Sequence, residues 1–118
     1  MFMIKPEYDP KAVEYFCRSV GFPFTPGTFL VRRLEEDKIT GWASLKIEGQ
    51  GVIVTGLGCS KPEDMDLLIR SGVNAASFRG CTEFSFDWDL WGKHCETLLS
   101  LGYTNSPIKI VQFFAPCC

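Results

Sequence analysis

Residues 51–80, GVIVTGLGCSKPEDMDLLIRSGVNAASFRG, constrain the fold more than any other stretch. Residues 52–59 are almost continuously apolar, as a central strand covered on both faces must be. A sharp turn follows, then a helix whose stripe is Met65, Leu68, Ile69, Gly72 and Ala76. Ser60 and Glu63 have capping-box spacing and Pro62 falls in the first turn, so the helix is predicted to begin there and to end near Gly80. Residues 82–88 alternate, with Thr82, Phe84, Phe86 and Trp88 on one side and Glu83, Ser85 and Asp87 on the other. A helix between two strands demands a right-handed parallel crossover. The mouth of such a junction is where helix-start amides face a ligand.

The remaining elements build a sheet around this unit. Residues 2–5 form a short apolar strand. Asp9 and Pro10 then cap and open a helix with Val13, Phe16, Cys17 and Val20 on its inner face, stopped at Gly21. Pro23 and Pro26 make residues 22–27 a loop. Residues 28–35, 39–48 and 52–59 read as an antiparallel meander joined by turns at 36–38 and 49–51. In the middle strand Gly41, Ala43, Leu45 and Ile47 share one face, and Trp42, Ser44, Lys46 and Glu48 the other. Asp89 is the predicted cap of a last helix with the stripe Trp91, Cys95, Leu98 and Leu99, ended by Gly102. Residues 108–114 are predicted to be a final strand. The expectation is one α+β domain over 1–118, with a mixed sheet and helices on both faces.

Composition narrows the function classes. The chain carries ten Phe and three Trp and is 46% hydrophobic, enough for a packed core. A net charge of -2 without a basic stripe argues against nucleic-acid binding. No run reaches the length of a membrane span, and MFMIKPEYDP lacks the apolar centre of a secretory leader. A soluble cytoplasmic protein with reduced cysteines is therefore expected, with Cys17, Cys59 and Cys95 serving as small core residues. Cys117 and Cys118 form a vicinal pair with no metal-ligand spacing.

The order strand, helix, three strands, helix, strand, helix, strand resembles the GNAT acetyltransferase superfamily over nearly the whole chain. MIKPEYDPKAVEYF looks like that family's first strand and helix, and FLVRRLEEDKITGWASLKIEGQGVIVTGLGC like its second to fourth strands. LLSLGY resembles the common ending of its last helix. The resemblance implies acetyl-CoA, or another acyl-CoA, between the fourth and fifth strands. Leu57, Gly58, Cys59, Ser60 and Lys61 would then hold the cofactor. It also implies a small-molecule amine or peptide acceptor; no metal is expected, because the sequence has no metal-ligand spacing. The chain departs from the family pattern at the phosphate loop, where SKPEDMD has no glycine and Glu63, Asp64 and Asp66 crowd the helix start. Carboxylates there stabilise the helix by meeting its dipole, each by roughly 0.3–1 kcal/mol, and repel a pyrophosphate. The family's frequent general-acid tyrosine falls at Leu98, its frequent asparagine falls around Trp91, and Tyr103, a residue type that could donate a proton, aligns with a position that is normally structural. The tail accommodates one full strand after Gly102 instead of the family's two.

Three sets of residues carry candidate chemistry. Glu83 and Asp87, with Ser85 between them, offer carboxylates that could deprotonate an amine, against the plainer reading of a solvated face. His94, the sole histidine, is of the residue type suited to a general base near neutral pH, but a lone histidine on a helix is commonly structural. Cys59 could accept an acyl group if its thiol were activated, but a strand cysteine is commonly core. Phe84, Phe86, Trp88, Trp91 and Trp42 could line an apolar pocket or simply pack. Two functions stand open: an N-acyltransferase acting on an amine, and a non-catalytic module of the same fold that binds a small molecule or a protein.

Overall fold

The computed structural model describes residues 1–59 and 61–113. Strands β1 (Phe2–Glu7), β2 (Thr28–Glu35), β3 (Lys38–Glu48), β4 (Gly51–Gly58), β5 (Glu83–Phe86) and β6 (Ile108–Lys109) form one sheet in the order β1-β2-β3-β4-β5-β6. All neighbours are antiparallel except β4 and β5, which run parallel on either side of the crossover helix α2 (Pro62–Ser77). Helix α1 (Pro10–Ser19) follows β1 and α3 (Trp88–Ser100) follows β5. The β2–β3 hairpin closes through Glu36 and Asp37, both at positive φ, as the right-handed twist of a two-residue turn requires.

The alternation of β3 divides the core. Ala43 and Leu45 face α2, where Met65, Leu68, Ile69, Val73 and Ala76 are buried in the main cluster. Trp42 faces the other way and packs with Phe16, Phe22 and Phe24 against Val13, Cys17 and Leu30 beneath α1. Each aliphatic side chain fully buried this way contributes about 1.5–3 kcal/mol before entropy is subtracted. Cys17 and Cys81 are buried free thiols, while Cys59 and Cys95 are half-buried. Cys117 and Cys118 lie outside the described residues. No helix among the described residues is long and apolar enough to cross a membrane.

Four local expectations need correction. Lys61, not Ser60, occupies the cap position of α2, because Pro62 takes the first helical place, where its fixed φ and missing N–H fit. Ser60 itself lies outside the described residues. The strand predicted over 82–88 spans only Glu83–Phe86. Asp87, not Asp89, caps α3: its Oδ2 accepts from the Asp89 amide at 3.1 Å and the Leu90 amide at 3.4 Å. The face that α3 turns to the core also differs from the expected stripe. Leu90 and Leu98 are buried, Trp91 and Cys95 are half-buried, and Leu99 and Trp88 face solvent. Finally, the strand expected over 108–114 lasts two residues before the chain turns into the single-turn helix α4 (Ile110–Phe113). Phe114 lies outside the described residues.

Candidate functional site

The parallel ladder between β4 and β5 is short. Gly51 to Val54 pair with Glu83 to Phe86, and the last bond runs from the Asp87 amide to the Val54 carbonyl at 3.0 Å. Beyond it β5 has become the cap of α3, while β4 continues through residues 55–58, paired among the described residues only with β3. A bulge sits at this parting. Ser44 opposes Gly56 and Leu45 opposes Val54, so Thr55 is the extra residue. Its Oγ1 lies 2.9 Å from Ser44 Oγ. A bulge bends its strand and raises the local twist, which here turns β4 away from β5 and leaves a row of backbone groups without a strand partner among the described residues.

That row opens into a cleft of about 600 Å³. Its walls are the loop after α1 (Phe22, Pro23), Trp42 of β3, residues 55–57 of β4 and the first turns of α3. Two glycines make the aromatic wall feasible. A Cβ on Gly56 would stand 2.9 Å from Phe22 Cε2 and 2.6 Å from Ser44 Oγ, and a Cβ on Gly58 would overlap the Trp42 indole. Phe22 meets Trp42 edge-on at 5.8 Å, and Phe16 braces the same indole at 5.6 Å.

Of the residues expected to act chemically, Asp87 and His94 line this cleft together with Leu57. Glu83 does not: it pairs with Gly51 at the far end of β5 and borders a separate hollow of about 180 Å³ with Glu48 and Ser85. Gly58 lies under Trp42, and Lys61 is exposed at the start of α2. The half-buried Cys59 has its Cβ 3.5 Å from where a Gly41 side chain would begin, on the α2 side of the sheet. Burial, and then the Asp64 charge, push the Cys59 thiol above its ordinary range, so the nucleophilic thiolate is disfavoured. Phe84 and Phe86 belong to the main core, and Trp91 packs on Phe86 at 5.6 Å.

The carboxylates at the start of α2 have structural partners that spacing alone does not reveal. Asp64 Oδ1 lies 3.4 Å from Arg33 Nε. Asp66 accepts from the Tyr103 hydroxyl at 2.7 Å and from Arg70 at 3.0 Å. Glu63 is exposed. Tyr103 is fully buried, its hydroxyl is committed to Asp66 and it does not line the cleft, so it is not placed to give a proton there. Burial followed by the Asp66 contact also pushes its phenol well above the usual range. Phe22, Pro23, Asp89 and Lys93 also line the cleft, and sequence reasoning did not single them out as site residues. The helical ones could have been found from spacing, since Leu90, Lys93 and His94 share one face at helical intervals.

No known family pattern matches the chain, and no curated protein matches it. Solved structures do match. An aminoglycoside N-acetyltransferase in complex with CoA has a TM-score of 0.66 over 100% of this chain and 96% of its own, at 13% identity. A GNAT-family acetyltransferase from Streptococcus pneumoniae TIGR4 has a TM-score of 0.61 over 100% and 95%, at 15% identity. The ribosomal-protein-S18-alanine N-acetyltransferase from Escherichia coli has a TM-score of 0.62 over 90% and 79%, at 11% identity. At these identities the likeness is one of fold: this chain has the fold of the GNAT acetyltransferases.

Proposed function

We propose that the protein is an N-acyltransferase that moves an acyl group from a CoA thioester to a primary amine. One observation carries this reading. The unpaired edge of β4 at the Thr55 bulge opens into the cleft that Asp87 and His94 line. The residues fit the arm of the cofactor. Backbone groups of residues 55–58 lack a strand partner on the β5 side, and amides of a pantetheine chain are the kind of group that completes such an edge. The phosphate end is served differently from a glycine loop. Pro62 supplies no amide at the start of α2, and the exposed Lys61 is the nearest cation in sequence. When bound, acyl-CoA supplies the activated thioester.

The side chains of the chain do the rest. The Asp87 carboxylate, fixed through Oδ2 by two amides, orients the amine and holds its ammonium form. His94, on the inner face of α3, takes the proton that the amine must lose before it can attack, directly or through water. As the amide C–N bond forms the thioester C–S bond breaks, and the amine's second proton leaves on the released thiol. Glu83 and Cys59 have no part in this reading. Buried free thiols at Cys17 and Cys81 suit a reducing, cytoplasmic setting.

A second reading keeps the fold without the chemistry. It is favoured by Tyr103, the tyrosine nearest the end of α3, being committed to Asp66. Calorimetric titration with acetyl-CoA, followed by thiol release in the presence of an amine panel, separates the two. Binding and amine-dependent release that depends on His94 support the transferase. Binding without release for any amine supports the module, and absence of both heat and thermal shift removes the CoA reading altogether.

A further inference from the structure

We propose that the acceptor is a compact monoamine with an aromatic body, seated with its ring against Trp42 and Phe22 and its ammonium toward Asp87 and Asp89. This assignment rests on the acyltransferase reading and names the substrate class of the same cleft. The aromatic wall is rigid. Trp42 is held edge-on by Phe16 at 5.6 Å and by Phe22 at 5.8 Å, and both wall rings occupy space that only glycines at 56 and 58 leave open. Rings fixed in this way present faces and edges that suit a second flat ring, since quadrupoles favour offset or edge-on contacts.

The opposite side of the cleft carries the charge. Asp87 and Asp89 stand at the start of α3, with Lys93 one turn on. Two carboxylates near one ammonium of the protein match a single ligand cation at one end of the site. A second or third cation on the ligand would lie against apolar rings or near Lys93, where desolvation and like charge both disfavour it. The cleft volume of about 600 Å³ lies within the range of sites that take small molecules. A peptide acceptor would need polar partners for its own backbone, and the β4 groups of residues 55–57 that could supply them are already assigned to the cofactor arm.

The test compares phenylethylamine, a linear triamine and a tripeptide amide, by ligand-observed NMR with and without CoA and by acetyl-CoA turnover. Phenylethylamine is expected to bind, and to be turned over with a kcat/KM at least tenfold above the other two. Trp42→Ala should weaken its binding about tenfold. Asp89→Asn, an exposed change, should raise its KM severalfold at constant kcat with an unchanged circular dichroism spectrum. Equal or better turnover of the triamine or peptide overturns the assignment and leaves the transferase reading intact. Binding of phenylethylamine that depends on Asp89, with no amine turned over, overturns the acceptor role together with the transferase reading and leaves a binding site for an aromatic monoamine. Failure of phenylethylamine to bind in either condition overturns the assignment.

Discussion

The Tyr103 hydroxyl donates to Asp66 Oδ1 at 2.7 Å and ties the segment after α3 to the first turns of α2. The two residues are remote in sequence, and each is unusual where it stands: a fully buried phenol, and a carboxylate in a helix that lies on the core. Tyr103→Phe keeps the ring contacts with Phe84 and Phe86 and removes the bond. The expected loss is about 1–3 kcal/mol, the cost of leaving a partly buried acceptor short of its donor. Urea denaturation with unchanged slope would read it directly, and acyl transfer should not change.

The same pair fixes a direction of pH dependence. The phenol ordinarily titrates near 10.0 and the thiols of Cys17 and Cys81 near 9.0, and burial raises all three in the folded chain. Between the unfolded and folded values the native state holds more protons than the unfolded one, so stability falls as pH rises. The contribution is whole below about pH 9, starts to fade there for the thiols and above about pH 10 for Tyr103, and is lost through the folded values. Thermal melts from pH 7 to 11 should show a steepening decline, and Tyr103→Phe should flatten its upper part. A Tm that stays level across this range would refute the account.

The fold was legible because its signals are local. The run at 52–59, the stripe of α2 and the alternation of β3 each lie within one element, and together they fix the element order. What was not legible depends on choices between near-equivalent residues or on remote pairs. Asp87 and Asp89 are both good caps by type, and the structure shows the first in that place, its amide closing the ladder on Val54 and its carboxylate accepting from the Asp89 and Leu90 amides. The acidic turn SKPEDMD reads as bare negative charge, because Arg33 lies on β2 and Tyr103 lies beyond α3, and neither is visible from spacing. Glu83 and Asp87 share a parity in the sequence, yet one ends in each hollow, because the strand stops between them.

Trp42 and Gly58 face each other across β3 and β4, and a Cβ on the glycine would meet the indole. Gly58→Ala should therefore displace the ring and cost about 1–3 kcal/mol, the usual penalty of overpacking. In a double-mutant cycle, Trp42→Ala should cost less in the Gly58→Ala background than in the native chain, because removing the indole there also relieves the clash. Additive effects in urea titrations would mean that the ring does not rest on this glycine.

Cys59 is half-buried and its thiol is pushed up, first by burial and then by Asp64. It should react with iodoacetamide at pH 7 more slowly than a free thiol in solution, since the thiolate is the reactive form. Asp64→Asn should speed that reaction, by removing the second of the two causes. Cys59→Ser should leave acyl transfer within about twofold, because the side chain faces Gly41 and not the cleft. Loss of activity in a folded Cys59→Ser chain would return the cysteine to the candidate nucleophiles.

Asp87 has two roles that substitution can separate. As a cap it accepts from the Asp89 and Leu90 amides, and as a cleft residue it faces the proposed amine. Asparagine caps a helix about as well as aspartate, so Asp87→Asn should keep stability within a few tenths of a kcal/mol. It removes the charge that holds an ammonium, and kcat/KM for the amine should fall by about 10²-fold or more. Asp87→Ala should show the same kinetic loss together with about 0.5–2 kcal/mol of lost stability. His94→Gln tests the other half of the pair. It retains a polar side chain on the same face of α3 but cannot act as a base, so kcat should fall by about 10²-fold or more while the amine still binds. If Asp87→Asn keeps full activity while His94→Gln abolishes it, the carboxylate is a cap alone and the histidine handles the amine without it.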